Sequence, residues 1–442
     1  MTGPSVNGST GPTERSALLN AEERTDANGY LANDSHHKND NRWTQWPMKV
    51  AHLTWSTVVR DYVNIFLFFV PLGIVSGALH WDASAIFVLN FFAIIPLASL
   101  LSFATEELAA STGQALGGLM NATFGNAVEL IVSIIALKDN QVRVTQASML
   151  GSILSNILLV LGCCFFVGGL RYSEQSFNTT VASTMSSLLT IASASLIIPA
   201  ALSATLKSMS HPEPGDGPSP EVLLLSHGTS IILLGVYVMY LYFQLKSHSQ
   251  LFEETPSDAE DVEVQGENIE EEEHLLGPWA ATIVLVIVTL LVAICADYLV
   301  GSIDSIVQKT GMSKTFIGLV LIPIVGNAAE HVTAVVVAWK DKMDLAIGVA
   351  VGSSLQIALF VTPFLVILGW IVDVPMTLDF HTFETVTFFI AGLVVTYLIQ
   401  DGKSNYLEGG LCLGMYMILA IAFYVYPDEP TIGGIFSTLS GR

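Results

Sequence analysis

Apolar residues in this chain come in long unbroken blocks separated by short polar stretches. Neither the two-residue alternation of a half-buried strand nor a one-sided helical stripe dominates. Eleven blocks are long enough, at roughly 20 residues, to cross a bilayer as helices. They cover 62–81, 84–104, 114–137, 144–170, 178–204, 222–246, 279–300, 315–339, 343–370, 381–400 and 405–426. Most connections are short. The exceptions are a Pro/Gly-rich loop within 207–220 and a strongly acidic run over 252–274 that holds no Lys or Arg. The fold class expected is therefore an all-α polytopic membrane protein.

Internal repetition organises these blocks. GNAVELIVSI begins at Gly125 and GNAAEHVTAV at Gly326, an offset of 201 residues (326 less 125). At the same offset GSILSN from Gly151 lies over GSSLQI from Gly352, and Gly117 over Gly318. The two GNAxE motifs fall on the third and eighth blocks, five crossings apart. An odd number of crossings makes the two copies enter the membrane from opposite sides. That is the inverted-topology repeat of many secondary transporters, whose site lies near the midplane between the halves. The division expected is a polar tail over 1–48, an extra first helix within 49–82, and a first repeat of five helices over 83–247. An acidic linker over 248–277, a second repeat of five helices over 278–427 and a short tail over 428–442 complete it.

Composition narrows the class further. Of the 442 residues 52% are hydrophobic and only 13% charged, against about 25% charged in a soluble domain. The net charge of -22 belongs to the soluble segments and does not suggest nucleic-acid binding. The first ~48 residues lack the apolar core of a signal peptide and read as a disordered tail. Cys163, Cys164, Cys295 and Cys412 lie in apolar blocks without zinc-like spacing and read as packing residues.

Each GNAxE motif sets a carboxylate, Glu129 or Glu330, inside an apolar helix. Intramembrane carboxylates are costly unless they face a partner or a polar cavity. Two at pseudo-symmetric positions converge, and with nearby oxygens they suit a hard divalent cation such as Ca2+. Asn126 and Asn327 lie three residues earlier, on the same helix face as the glutamates. Gly125 and Gly326 precede them, and Pro323 lies upstream in the second copy, so these helices are weakened and free carbonyls become candidate ligands. Ser152, Ser155, Ser353 and Gln356 line the next helices at equivalent positions. Gly151 and Gly352 are expected to let helices approach closely. His331 replaces Leu130 of the first copy and is a candidate for proton coupling. Glu106 and Glu107, at the end of the second block, are candidates for a cation entrance, and Asp297 raises the same question. His227 reads as structural. Residues 330–334 read EHVTA, not HExxH, so a zinc protease is not supported. With no nucleophile–base constellation, an enzyme is not expected.

At these residues the sequence resembles the Ca2+/H+ exchanger family of the cation/Ca2+ antiporter superfamily, across roughly 60–426. The resemblance implies eleven helices, one extra and two inverted halves of five, in a vacuolar-type membrane. It implies Glu129 and Glu330 as central cation ligands and Asn126, Asn327, Ser152, Ser155, Ser353 and Gln356 as site-lining residues. His331 and Glu106 become coupling or pathway residues. The acidic run, with Glu260, Asp261, Glu263, Glu267, Glu270, Glu271, Glu272 and Glu273, resembles the family's Ca2+-associated cytosolic segment, although Pro256 and Gly266 interrupt it. No cofactor is implied; Ca2+, with Mn2+ as an alternative, is the transported substrate and Ca2+ a candidate regulator. The counter-ion expected is H+, with Na+ or K+ as the competing reading. Lys and Arg near the helix ends number eight on the side of the N-terminus and five on the other, which favours a cytosolic N-terminus. Glu14-Arg15-Ser16-Ala17-Leu18-Leu19 resembles an acidic dileucine signal for a sorting adaptor on the vacuolar route.

Overall fold

A computed structural model describes residues 62–210, 218–251 and 276–426, all within one compact unit. The N-terminal tail with its dileucine-like segment, the acidic run and the C-terminal tail lie outside the described residues. Thirteen helices among the described residues form eleven crossings. Helix α1 (Phe69–Ala78) continues a 3-10 stretch from Tyr62. Then come α2 (Ala83–Thr112), α3 (Gln114–Phe124), α4 (Ala127–Lys138), α5 (Val142–Arg171), α6 (Thr179–Ser210) and α7 (Pro220–Ser247). The second half has α8 (Pro278–Thr310), α9 (Lys314–Gly326), α10 (Ala328–Trp339), α11 (Met343–Ile371), α12 (Thr382–Leu398) and α13 (Tyr406–Val425). The pair α9–α10 is one broken crossing bent by 59°, and α3 and α4, parted by Gly125 and Asn126, hold the equivalent place in the first half.

Polar caps punctuate the apolar blocks where the sequence supplies them. Asp82 accepts from Ser84 N at the start of α2, and Ser313 from Phe316 N at the start of α9. Asn405 does the same for Leu407 N and Glu408 N in α13. Gly311 ends α8 with φ 73°, a left-handed position that a Cβ would strain. Two blocks overrun their expected ends most. Helix α2 continues to Thr112 rather than 104, and α8 to Thr310 rather than 300. Polar residues at these ends join helices that project past the apolar span, which a hydropathy reading truncates. Asp297 accordingly sits within α8, where it pairs with Lys138.

Contacts between crossings establish the inversion. Call the side where α1 starts the near face and the side where it ends the far face. Far-face ends meet in Lys309–Asp82, Lys314–Asp304 and Arg143–Glu384. The Lys309 ammonium holds the Asp82 carboxyl below its ordinary value. Near-face ends meet in Lys403–Glu174, in Arg171 donating to Trp339 O at 3.1 Å, and in a two-residue antiparallel ladder pairing Gln175–Ser176 with Lys403–Ser404. Each contact joins ends that the count of crossings puts on one side. The second half therefore enters from the face opposite to the first, and α1 stands outside the repeat.

Burial places the motif helices at the centre. The apolar windows of α5 and α11 are 67% and 61% buried, whereas those of α7 and α13 are 28% buried and expose residues such as Ile232, Met239, Ile418 and Ile421 to the lipid side. Gly151 on α5 lies against α9 so closely that an added Cβ would fall 2.3 Å from Leu319 O. Gly352 does not repeat this: its Cβ would meet only Met185 Cε at 3.6 Å, an ordinary contact. The close approach expected of both glycines is thus real in the first copy only. Overpacking at a rigid backbone contact costs about 1–3 kcal/mol. Gly151→Val should therefore sharply reduce monodisperse protein in detergent, while Gly348→Ala, whose Cβ meets nothing within 4 Å, should leave it unchanged.

Candidate transport site

Both GNAxE motifs sit at helix breaks. Asn126 (φ -100°, ψ 28°) separates α3 from α4, and Asn327 (φ -93°, ψ 8°) separates α9 from α10. Glu129 and Glu330 therefore lie in first turns, each beside the C-terminal end of the preceding half-helix. Such ends offer carbonyl oxygens and negative dipole to a cation.

The two halves interlock here. Glu129 is buried, and its Oε1 lies 3.0 Å from where a Cβ on Gly326 would be. Glu129 and Glu330 are within electrostatic reach of one another. Asn126 donates to Gln356 Oε1 at 2.6 Å and accepts from Ser353 Oγ at 2.9 Å. Asn156 in turn donates to Ser353 Oγ at 3.1 Å. Ser155 Oγ lies 3.4 Å from His331 Nε2. Residues 155–160 and 357–361 are π-helical in both copies. Such bulges frequently mark functional sites because they re-aim side chains within a helix.

Symmetry fails in one informative respect. Asn126 is locked by hydrogen bonds, but both amide atoms of its counterpart Asn327 are buried without a partner, as are Glu129 Oε1, Glu330 Oε2 and Ser152 Oγ. Buried polar atoms are nearly always satisfied, and orphaned oxygens at membrane depth are costly. Among the described residues no group of three or more His, Cys, Asp and Glu side chains is placed to hold a metal. The donors on offer are two carboxylates with neutral amide and hydroxyl oxygens.

The remaining sequence candidates separate. Because α2 extends past them, Glu106 and Glu107 stand inside a helix rather than at its end, and they face different surroundings. Glu106, which accepts from Ser102 Oγ at 3.3 Å, lines an open cleft of about 420 Å³ with Ala109, Ala110, Gly113, Gly117, Gly118 and Asn121. This cleft opens on the near face and reaches Asn121, five residues before Asn126. Glu107 is buried away from the cleft lining and accepts from Leu276 N at 3.2 Å, just ahead of α8. His227 stacks on Trp370 at 4.3 Å between ring centroids. Asn156 closes the GSILSN motif but carries no signal in the repeat, because its counterpart at the same offset is the apolar Ile357.

The family model for sodium/calcium exchanger proteins matches residues 83–246 and 280–425. This chain belongs to that family. Among its curated relatives are a vacuolar calcium ion transporter of Schizosaccharomyces pombe, 49% identical over 86% of this chain and 89% of the relative, and a Ca2+/H+ antiporter of Aphanothece halophytica, 44% identical over 83% and 97%. A vacuolar cation/proton exchanger of Oryza sativa is 43% identical over 84% and 87%. The solved structure of native YfkE superposes with a TM-score of 0.67 at 38% identity, covering 82% of this chain and all of that one. The family membership, the Ca2+/H+ exchanger resemblance and the helical transporter fold read from the motifs are borne out. Members of this kind are secondary transporters rather than enzymes.

Proposed function

We propose that this protein exchanges Ca2+ for protons across a vacuolar-type membrane, with Glu129 and Glu330 holding one divalent cation or protons in turn. The observation that supports it most is the set of orphaned oxygens gathered where the inverted halves meet. Asn327, Ser152 and the backbone around Gly125 and Gly326 complete the oxygen shell, while Asn126, Ser353, Gln356 and Ser155 hold the opposite wall. Mn2+ suits the same donors. The near face is cytosolic, so the cleft lined by Glu106 admits cation from the cytosol. His331, against Ser155, takes part in proton coupling. The likeness to antiporters named for Ca2+ and H+ supports the choice of ions. Addition of Ca2+ to reconstituted vesicles should release protons, read with a pH dye. Ca2+ uptake without proton movement would overturn the proposal.

The acidic run and the ERSALL segment enter from sequence alone. Blocks of like charge attract cations but are otherwise solvated. Joining the two repeats, the run is suited to bias their relative motion, by the difference in its cation affinity between states. Replacing Glu270 through Glu273 with Gln should alter the Ca2+ dependence of uptake without eliminating it. An unchanged Ca2+ dependence would reduce the run to a linker. ERSALL is the candidate site for a sorting adaptor.

A further inference from the structure

Within the first repeat, a set of buried hydroxyls follows the seam between α4 and α5 from the glutamate to the far face. Ser133 stands one turn beyond Glu129 on α4. Thr145 and Ser148 stand on α5 between the far face and Ser152. All are buried, at 0%, 0% and 1% exposure for Ser133, Thr145 and Ser148. Thr145 Oγ lies 3.5 Å from Ser133 O, which ties the two walls together, and 3.3 Å from Gln141 O at the helix entrance. At about 1.5 Å per residue, Thr145, Ser133, Ser148 and Glu129 fall at successive depths no more than about 5 Å apart.

Two features separate this track from ordinary buried hydroxyls. In apolar helices a buried Ser or Thr usually returns its hydrogen bond to the preceding turn. Ser76, Thr105, Ser230 and Ser354 do so here. Thr145 does so as well, toward Gln141 O, but Ser133 and Ser148 do not; their Oγ atoms are buried without any partner. Ser193 and Thr362 share that lack, but neither lies on the α4–α5 seam. The second feature is a broken symmetry. The counterparts of Ser133, Thr145 and Ser148 at the 201-residue offset are Ala334, Ala346 and Val349, so the equivalent seam of the second repeat is apolar. The hydroxyls thus lead from Glu129 toward the far face, whereas the cleft lined by Glu106 lies at the near-face end of α2.

We propose that Ser133, Thr145 and Ser148 hold a file of water through which protons pass between Glu129 and the far face, apart from the route of the metal. A proton leaves the Glu129 carboxyl for the first water as another leaves the last water for bulk. Each hydroxyl accepts one hydrogen bond and donates one, and it ends unchanged. These are positioning residues, and the inference rests on the Ca2+/H+ reading of the site.

The test compares two fluxes in the same reconstituted vesicles. Uptake of 45Ca2+ driven by a pH gradient requires proton movement, whereas 45Ca2+/Ca2+ exchange at equal pH does not. The double variant Ser133→Ala and Ser148→Ala gives the first repeat the apolar character of the second. It should slow gradient-driven uptake by about tenfold or more, the scale of a lost proton-transfer aid, and leave Ca2+/Ca2+ exchange within about twofold. Ser133→Thr, which keeps a hydroxyl, should retain the coupled rate. Equal loss of both fluxes would make the hydroxyls structural and overturn the inference, as would no change in either. Wild-type vesicles that move no Ca2+ in either assay would instead overturn the Ca2+ reading itself.

Discussion

Glu129→Gln and Glu330→Gln should each abolish Ca2+ uptake while leaving the protein folded. Glutamine keeps the shape and one oxygen but neither the charge nor the ability to exchange a proton for the metal. Stripping one partner from a buried charge interaction costs about 3–5 kcal/mol, and each 1.4 kcal/mol is tenfold in affinity. A loss of more than about 100-fold is therefore expected at either position. Folding should survive because Glu129 Oε1 and Glu330 Oε2 have no hydrogen-bond partner to lose. The neutral side chain also removes a carboxylate held within reach of another. Uptake of 45Ca2+ and detergent size exclusion, measured on the same preparations, check both halves of the expectation. Near-normal uptake in either variant would sink the assignment of the site.

The architecture was legible because membrane helices write themselves as long apolar blocks and because the 201-residue offset survived duplication without a gap. Parity of crossings then gave the inversion, which depends on counting blocks and not on their ends. The ends themselves were not legible where helices leave the membrane, as at Thr112 and Thr310. Site chemistry was legible where both copies retain it, at Asn126 and Asn327 or Glu129 and Glu330. It was not legible where the copies diverged. Asn156 closes the Ser353 network but has an isoleucine as its counterpart. Ser133 and Ser148 belong to no motif that both copies share, and only their missing hydrogen bonds set them apart. Gly151 and Gly352 share a motif, yet only one touches a neighbouring backbone, because packing across an interface need not repeat when the facing residues differ. The difference between Asn126, held by two bonds, and Asn327, held by none, is invisible in a sequence that spells GNA twice.

The second large effect concerns the counter-ion. If protons and Ca2+ compete for the same two carboxylates, each competing proton raises the apparent dissociation constant of Ca2+ about tenfold per pH unit below its own titration. Two shared carboxylates then give a slope approaching two in log dissociation constant against pH as the medium is acidified, and weaker binding on the acidic side. That sign suits transport into an acidic compartment: cation is held at the cytosolic pH and displaced by protons in the lumen. A protonophore should stop uptake into acid-loaded vesicles, and an imposed Na+ or K+ gradient should not restore it. A solvated carboxylate remote from the metal would add no slope, so Glu106→Gln in the near-face cleft should slow entry but leave the slope unchanged. A slope near one would mean that only one of the pair exchanges its proton with the metal. A flat pH profile together with uptake that follows Na+ or K+ would move this chain to the same-fold exchangers driven by those ions.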